Sequence, residues 1–217
     1  MASEYTILKL VLFISLIAFS LGCGARQLTV LDQQGQPVAD LVVSYPATPA
    51  YQPTDSLAVM DQINKQFSPQ VLIIQAGQQV IFPNSDDIRH HVYSFSPTKP
   101  FELKLYAGSD APPVQFDTPG IVVLGCNIHD GMIGYIYVND GRGTALSNSQ
   151  GELNIPAEIT TLSLWHPRQQ LSVVERTSIT LAPGQQQIIL PFSLVPPAEP
   201  SSKGTKFGRK LRPQGQP

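Results

Sequence analysis

Three side chains that can bind a soft metal ion lie within seven consecutive residues of the chain. They are Cys126, His129 and Met132, and they separate two apolar runs, 120–125 and 133–138, that have the composition of β-strands. A thiolate, an imidazole and a thioether suit copper, and two imidazoles, a thiolate and a weak axial methionine form a blue-copper electron-transfer site. The stretch therefore predicts a loop that carries three of the four ligands of a type 1 copper centre.

The fourth ligand, a second imidazole, must come from elsewhere in the chain. Upstream of the loop the only histidines are the adjacent pair His90 and His91. Neighbouring residues of an extended segment project to opposite faces, so we expect only one of the two to reach the metal. We expect the other to face solvent or to bond to a loop, with Asp86, Asp87 and Asp130 as nearby acidic partners.

The pattern around these residues resembles the two ligand-bearing segments of cupredoxins. The Cys-x2-His-x2-Met spacing, with FxxPG at 116–120 and MxGxIxV at 132–138, is similar to the C-terminal ligand loop of plastocyanin- and amicyanin-like domains. Upstream, Asn84 followed six residues later by His90, and then by Val92, is similar to the family's Asn-x5-His-x-Val segment.

This resemblance covers residues 58–139 and implies a Greek-key β-sandwich that holds one type 1 copper ion. The ligands implied by the alignment are His90, Cys126, His129 and Met132. His91 falls where many cupredoxins carry an asparagine that ties the two ligand loops together, so His91 stays an alternative to His90. The wider chain also resembles exported bacterial proteins called methylamine utilization proteins.

The composition favours an all-β protein without nucleic-acid partners. Charged residues make up 14% of the 217 residues, below the typical value of about 25%, and the 16 glycines and 20 prolines supply many turns. The formal net charge is -2, and no basic and aromatic array suggests nucleic-acid binding. No Ser-His-Asp order, phosphate loop or HExxH motif predicts catalysis. We therefore expect a β-sandwich that is not an enzyme.

The N-terminus has the pattern of an export signal. Lys9 precedes an apolar run at 10–21 that is too short to span a bilayer, and small residues follow. This predicts a periplasmic or otherwise extracytoplasmic protein. Two alternatives remain: lipidation of Cys23, whose surroundings resemble a lipoprotein box and which would anchor the protein to a membrane, or cleavage after Ala25. Either leaves Cys126 as the only thiol of the folded region, so no internal disulfide is expected.

The segments on either side of the copper motifs predict a further β module. The organisation we predict is a signal peptide at 1–25, an N-terminal β segment and linker at 26–57, the copper-binding domain at 58–139, a C-terminal β module at 140–195 and a disordered basic tail at 196–217. Turns at 32–42 and 149–153 are similar to those of carboxypeptidase-regulatory-like sandwiches, which implies that 140–195 pairs with 26–45. We also expect a hairpin between 171–181 and 186–192, and a structural role for His166.

Three hypotheses for the function compete. The leading hypothesis is a type 1 copper protein that carries single electrons, with a redox protein as its partner, which the sequence does not identify. The alternatives are a copper-binding or delivery protein without redox cycling, and a cupredoxin domain used only as a structural module. Reversible electrochemistry of bound copper separates the first two.

Overall fold

The computed structural model of the protein describes residues 24–47, 49–52, 55–129 and 131–196. These residues form seventeen β-strands: β1 (Ala25–Leu31), β2 (Val42–Tyr45), β3 (Ala58–Val59), β4 (Asp61–Ile63), β5 (Gln66–Ser68), β6 (Val71–Gln75), β7 (Gln78–Ile81), β8 (His90–Ser94), β9 (Phe101–Tyr106), β10 (Val114–Phe116), β11 (Gly120–Gly125), β12 (Ile133–Asn139), β13 (Gly143–Leu146), β14 (Glu152–Pro156), β15 (Thr161–Trp165), β16 (Thr177–Thr180) and β17 (Gln187–Ile189). The described residues contain no helix, so the predicted all-β class is confirmed.

Most of the predicted signal peptide, including Cys23, and the predicted tail beyond Pro196 lie outside the described residues. Within the described part, Ala25 is already the first residue of β1, so cleavage after Ala25 would remove a residue of that strand. No helix long and apolar enough to cross a membrane occurs among the residues that the structure describes.

Strands β3 to β12 build the cupredoxin-like sandwich. One sheet has the order β6-β12-β11-β8-β9, the second has the order β10-β7-β3, and β4 and β5 form a separate hairpin. Because β6 and β7 follow each other in the chain but lie in different sheets, the chain crosses between the layers, as a Greek-key sandwich requires. The core between the layers includes Phe82, Phe116, Val122, Leu124 and Ile136.

Strands β11 and β12 are apolar along almost their whole length because both of their faces are covered. One face packs into the core just described, whereas Ile121 and Tyr137 pack on the opposite side, against a cluster that contains Val42 and Trp165. A strand buried on both faces cannot alternate between apolar and polar residues. The near-continuous apolar runs in the sequence therefore reflect two strands that are covered on both faces.

A smaller sandwich, built from both ends of the chain, has an apolar core of its own. Its sheets have the orders β14-β1-β17 and β13-β2-β15-β16, so the chain leaves this sandwich after β2 and returns at β13. Apolar side chains from both sheets fill it, including Leu28, Val43, Leu153, Leu164 and Ile188. The predicted β-sandwich-like module formed by the flanking segments is confirmed.

Our prediction of a hairpin between 171–181 and 186–192 is wrong. Strand β16 pairs with β15, whereas β17 pairs in parallel with β1 in the other sheet. The turn at 182–185 therefore connects two layers of the sandwich, and the segment before Thr177 is irregular rather than extended. Turn residues specify a reversal of the chain, but burial of Ile188 and Leu190 in the module core selects the partner strand.

An aromatic cluster joins the two sandwiches. Trp165 is fully buried, and its ring lies edge-on to Tyr135 and Tyr137, with ring centroids 5.7 and 5.8 Å away. Its indole N–H donates to the carbonyl of Val173 at 2.7 Å, and the Arg176 guanidinium lies 4.7 Å from the centre of the Tyr137 ring. The module thus braces the outer face of the β12 strand that carries one end of the candidate metal loop.

His166 is a packed residue of the module. Its Nε2 lies 3.0 Å from the carbonyl oxygen of Ala39, and its Nδ1 accepts the backbone N–H of Arg168 at 2.9 Å. Desolvation by burial lowers its pKa to about 4, and the nearby Arg168 charge acts in the same direction, although the bond to Ala39 opposes both. The neutral ring is therefore the form that suits the folded state.

This lowered pKa predicts a pH-dependent stability. His166 takes up a proton near pH 6.5 in the unfolded chain but only near pH 4 in the folded chain. Its contribution to the free energy of unfolding is therefore complete above about pH 6.5 and is lost as the pH falls from about 6.5 to about 4. We expect the free energy of unfolding to fall by about 3 kcal/mol more in the wild type than in His166→Gln between about pH 7 and about pH 4. Urea unfolding of both proteins across this range measures the difference, and parallel pH curves would contradict it.

Candidate metal centre

The four predicted ligands come from two places in the cupredoxin-like sandwich. His90 is the first residue of β8, whereas Cys126, His129 and Met132 lie in the loop that joins β11 to β12. Because β8 and β11 are neighbours in one sheet, with Gly125 opposite Tyr93, the start of β8 and the loop are brought to the same region. The sheet order therefore brings residues separated by 36 positions into contact.

The structure brings two imidazoles and the thiol together. The Nδ1 atoms of His90 and His129 lie 3.8 and 3.5 Å from the sulfur of Cys126. One ligand atom from each of the three residues falls within 4.8 Å of the other two. His90 and Cys126 are buried, and His129 is half-buried. Cys126 is a free thiol.

Met132 lies at the base of the same loop. Its side chain is buried in the core cluster that also contains Cys126. Its backbone N–H donates to the carbonyl of His129 at 3.2 Å, and its carbonyl accepts the N–H of Cys126 at 3.3 Å. These two backbone bonds close the loop on itself and tie Cys126, His129 and Met132 together.

His91 points away from this group. Its Nε2 lies 2.9 Å from a carboxylate oxygen of Glu102 on the neighbouring strand β9, and its ring centre lies 5.6 Å from that of Tyr93. His90, in contrast, is fully buried and faces the core. The structure therefore presents His90 and not His91 to the cysteine.

Our expectation for the acidic partners needs correction. Asp86 contacts the inward-facing His90, at 2.7 Å from Nε2, and not the outward-facing histidine. His91 instead takes Glu102, because antiparallel pairing of β8 with β9 brings that side chain across the outer face of the sheet. Asp87 is exposed, and Asp130 lies outside the described residues.

Asn84 shapes the segment that leads to His90. This buried side chain donates from Nδ2 to the carbonyls of Ile88 and Tyr106, at 2.7 and 3.1 Å, and its Oδ1 accepts the N–H of Asp86 at 3.1 Å. The resemblance marked Asn84 as part of a motif. The structure gives it a physical role: it pins the turn before His90 to the end of strand β9.

The structure also contains a buried polar network, next to the turn that precedes His90, which the sequence analysis did not predict. Gln62 is fully buried and donates from Nε2 to the carbonyl of Pro83 at 3.1 Å and to the Tyr106 hydroxyl at 2.6 Å, while that hydroxyl donates to the carbonyl of Phe82. Desolvation raises the pKa of Tyr106 to about 12, so the phenol keeps its proton. Neither Gln62 nor Tyr106 belongs to a recognisable motif, so the sequence offers no signal for this network.

The local electrostatics favour the protonation states that metal binding needs. Desolvation, followed by the neighbouring His90 and Lys65, lowers the pKa of His129, which favours its neutral imidazole. Desolvation alone would raise the pKa of Asp86, but hydrogen bonds from Lys65, His90 and Asn64 lower it overall, so that group is a carboxylate. A neutral imidazole has a lone pair on one nitrogen, which is the form that binds metals.

The residues present fit copper in chemistry and spacing. Two imidazole nitrogens and one thiol sulfur form the donor set of a trigonal His₂Cys site, with a methionine beside it. For zinc, an ion of similar size, bonds of about 2.0–2.1 Å to nitrogen and about 2.3 Å to sulfur would set these atoms about 3.8 Å apart in a trigonal plane. The two observed nitrogen to sulfur separations, 3.8 and 3.5 Å, are close to this.

The solved structures similar to this chain include cupredoxins. A mutant of amicyanin in its reduced state is 19% identical, with 45% of this chain and 98% of that chain covered and a TM-score of 0.35. A purple cupredoxin from Nitrosopumilus maritimus is 22% identical, with 39% and 100% covered and a TM-score of 0.34. A Cu-containing nitrite reductase from Thermus scotoductus SA-01 is 23% identical, with 51% of this chain but only 28% of that chain covered and a TM-score of 0.37. No protein-family model and no curated protein matches the sequence.

The opposite orientations of the two adjacent histidines give a direct prediction. We expect His90→Ala to abolish the intense red absorption of thiolate-bound Cu(II), because it removes an imidazole that faces Cys126. His91→Ala is the matched control and should keep the band, since His91 bonds to Glu102. Visible spectra of the two copper-loaded variants decide the matter, and loss of the band in His91→Ala alone would contradict the placement.

Proposed function

We propose that this protein is a one-electron carrier with a single type 1 copper ion, and that it is not an enzyme. The ligands we propose are His90, Cys126, His129 and Met132. The observation that carries the proposal is the convergence of two imidazole nitrogens on one buried free thiol, with all three donor atoms within 4.8 Å of one another. Two imidazoles and a cysteine sulfur, with a methionine as a weak further ligand, are the donor set of blue-copper electron-transfer proteins.

The protein's part in this function is to hold the donors in place before and after the electron moves. When bound, copper supplies one-electron chemistry by alternating between Cu(I) and Cu(II). The backbone bonds between Cys126, His129 and Met132 fix the loop, and Asn84 fixes the turn before His90. Donors that are already in position need little rearrangement when the charge of the site changes.

His129 offers the route to the surface. Its Nδ1 faces Cys126, so the opposite edge of this half-buried ring points away from the thiol. Two exposed apolar side chains lie near it in the sequence, Ile128, which is 51% exposed, and Ile133, which is 42% exposed. Exposed apolar side chains at this end of the sandwich would suit a contact with another protein. We therefore propose a redox protein as the partner, docking at this end of the sandwich.

The cellular setting follows from the sequence patterns. We propose that the protein is exported, so that it acts in the periplasm or another extracytoplasmic compartment. Its N-terminus then either carries a lipid on Cys23, which anchors it to the membrane, or is cleaved after Ala25. Membership in the group of methylamine utilization proteins is part of the same proposal, and it rests on the resemblance of the wider chain. An unpaired thiol in an oxidising compartment is well explained by metal binding.

The proposal is tested by copper loading followed by electrochemistry. We expect Cu(II) added to the folded metal-free protein to give an intense red absorption at one equivalent, and voltammetry of that sample to give a reversible one-electron wave. Cys126→Ser, which removes the sulfur but keeps the size of the side chain, should lose the band.

Two outcomes would count against electron carriage. A folded, copper-loaded protein without the band would contradict the type 1 site itself. A band without a reversible wave would favour the alternative, a copper-binding or delivery protein that does not change redox state.

A further inference from the structure

The carboxylate of Asp86 links a β-hairpin to the buried histidine of the candidate site. Its Oδ2 lies 2.7 Å from Nε2 of His90 and accepts the backbone N–H of Lys65 at 2.9 Å. Its Oδ1 accepts the backbone N–H of Asn64 at 2.6 Å. Asn64 and Lys65 form the turn between β4 and β5. The carboxylate is thus held from one side by the hairpin and holds the imidazole on the other.

The backbone of this hairpin turn is built to present two donors. Asn64 and Lys65 have φ values of 54° and 59°, the left-handed region that a two-residue hairpin turn of type I′ requires. In this conformation the two successive N–H groups reach the two oxygens of one carboxylate. Backbone N–H groups only donate, so both oxygens of Asp86 serve as acceptors.

An acceptor at Nε2 decides which nitrogen of His90 carries the proton. A neutral imidazole has one N–H and one lone pair. If Nε2 donates to Asp86, the lone pair remains on Nδ1, and Nδ1 is the atom that lies 3.8 Å from the sulfur of Cys126. Because the His90 side chain is fully buried and that of Asp86 is only 13% exposed, solvent has little access to this bond.

We propose that Asp86 is a positioning residue that, anchored by the turn at Asn64 and Lys65, orients the His90 ring and keeps its Nδ1 free to bind the metal. The proposal rests on the proposed function in one respect only, namely that Nδ1 serves a metal. The orientation itself is a property of the metal-free protein. A carboxylate behind a metal-bound imidazole also makes that ring a stronger donor.

The charge of Asp86 has a second consequence. A negative group behind His90 stabilises the more positive oxidation state of an ion held at Nδ1, so it favours Cu(II) over Cu(I). Asp86→Asn removes the charge but keeps the shape and one acceptor oxygen, which can still face His90 and the N–H of Lys65, whereas the bond from the N–H of Asn64 is lost. This variant should therefore raise the reduction potential. Asp87→Asn removes the same charge one residue away, from an exposed side chain that makes no described bond to His90.

The first test uses the metal-free protein. In proton NMR spectra with nitrogen-15 labelling, the wild type and Asp87→Asn should show a slowly exchanging Nε2 proton on His90, shifted downfield by its charged acceptor. Asp86→Ala should lose this signal, and Asp86→Asn should keep it with a smaller downfield shift. A wild type that carries the proton on Nδ1, or an unchanged signal in Asp86→Ala, would overturn the proposal whether or not the protein binds copper.

The second test uses the copper-loaded protein. We expect Asp86→Ala to lower copper affinity roughly 10- to 100-fold, as found for partners of metal-bound histidines. The reduction potential should rise in Asp86→Asn and stay near the wild-type value in Asp87→Asn. Equal potentials in the two asparagine variants would overturn the charge effect. If the protein did not bind copper, the NMR test would still decide the role of Asp86, so the two failures are distinguishable.

Discussion

The candidate site depends on satisfying a buried imidazole on both of its nitrogens. His90 is fully buried, and an imidazole in that position would be costly if one of its ring nitrogens had no partner. The structure supplies Asp86 on the Nε2 side and the Cys126 thiol near the Nδ1 side. With one nitrogen committed to a carboxylate, the other is directed at the thiol, and this division of roles defines where a metal can bind.

The rest of the fold keeps this arrangement rigid. Strands β11 and β12, which carry the loop, are packed on one face by the core of the cupredoxin-like sandwich and on the other by the Trp165 cluster of the smaller module. Directly before Cys126, Gly125 leaves room for the Tyr93 ring, since a Cβ at this position would lie only 2.7 Å from a ring carbon. The two strands that carry the loop are therefore closely packed on both faces, and this packing keeps the donor atoms in fixed positions.

Local patterns in the sequence predicted the parts of the structure that local physics determines. The spacing of Cys126, His129 and Met132 places them in one turn between two apolar runs, so any hairpin there brings them together. The all-β class followed from many turn formers and few charges. Pairings between distant segments were harder to predict. The partner of β17 depends on burial in a core made from both chain ends, and the sequence does not show which of several carboxylates will face His90.

X-ray absorption at the copper edge of the loaded protein would test the copper site most directly, because it counts the atoms bound to the metal without reference to colour or function. The geometry of His90, Cys126 and His129 predicts one short bond to sulfur and two bonds to imidazole nitrogen. A shell of oxygen and nitrogen without a short sulfur bond, in a sample whose protein is folded and holds one copper ion per chain, would contradict the site.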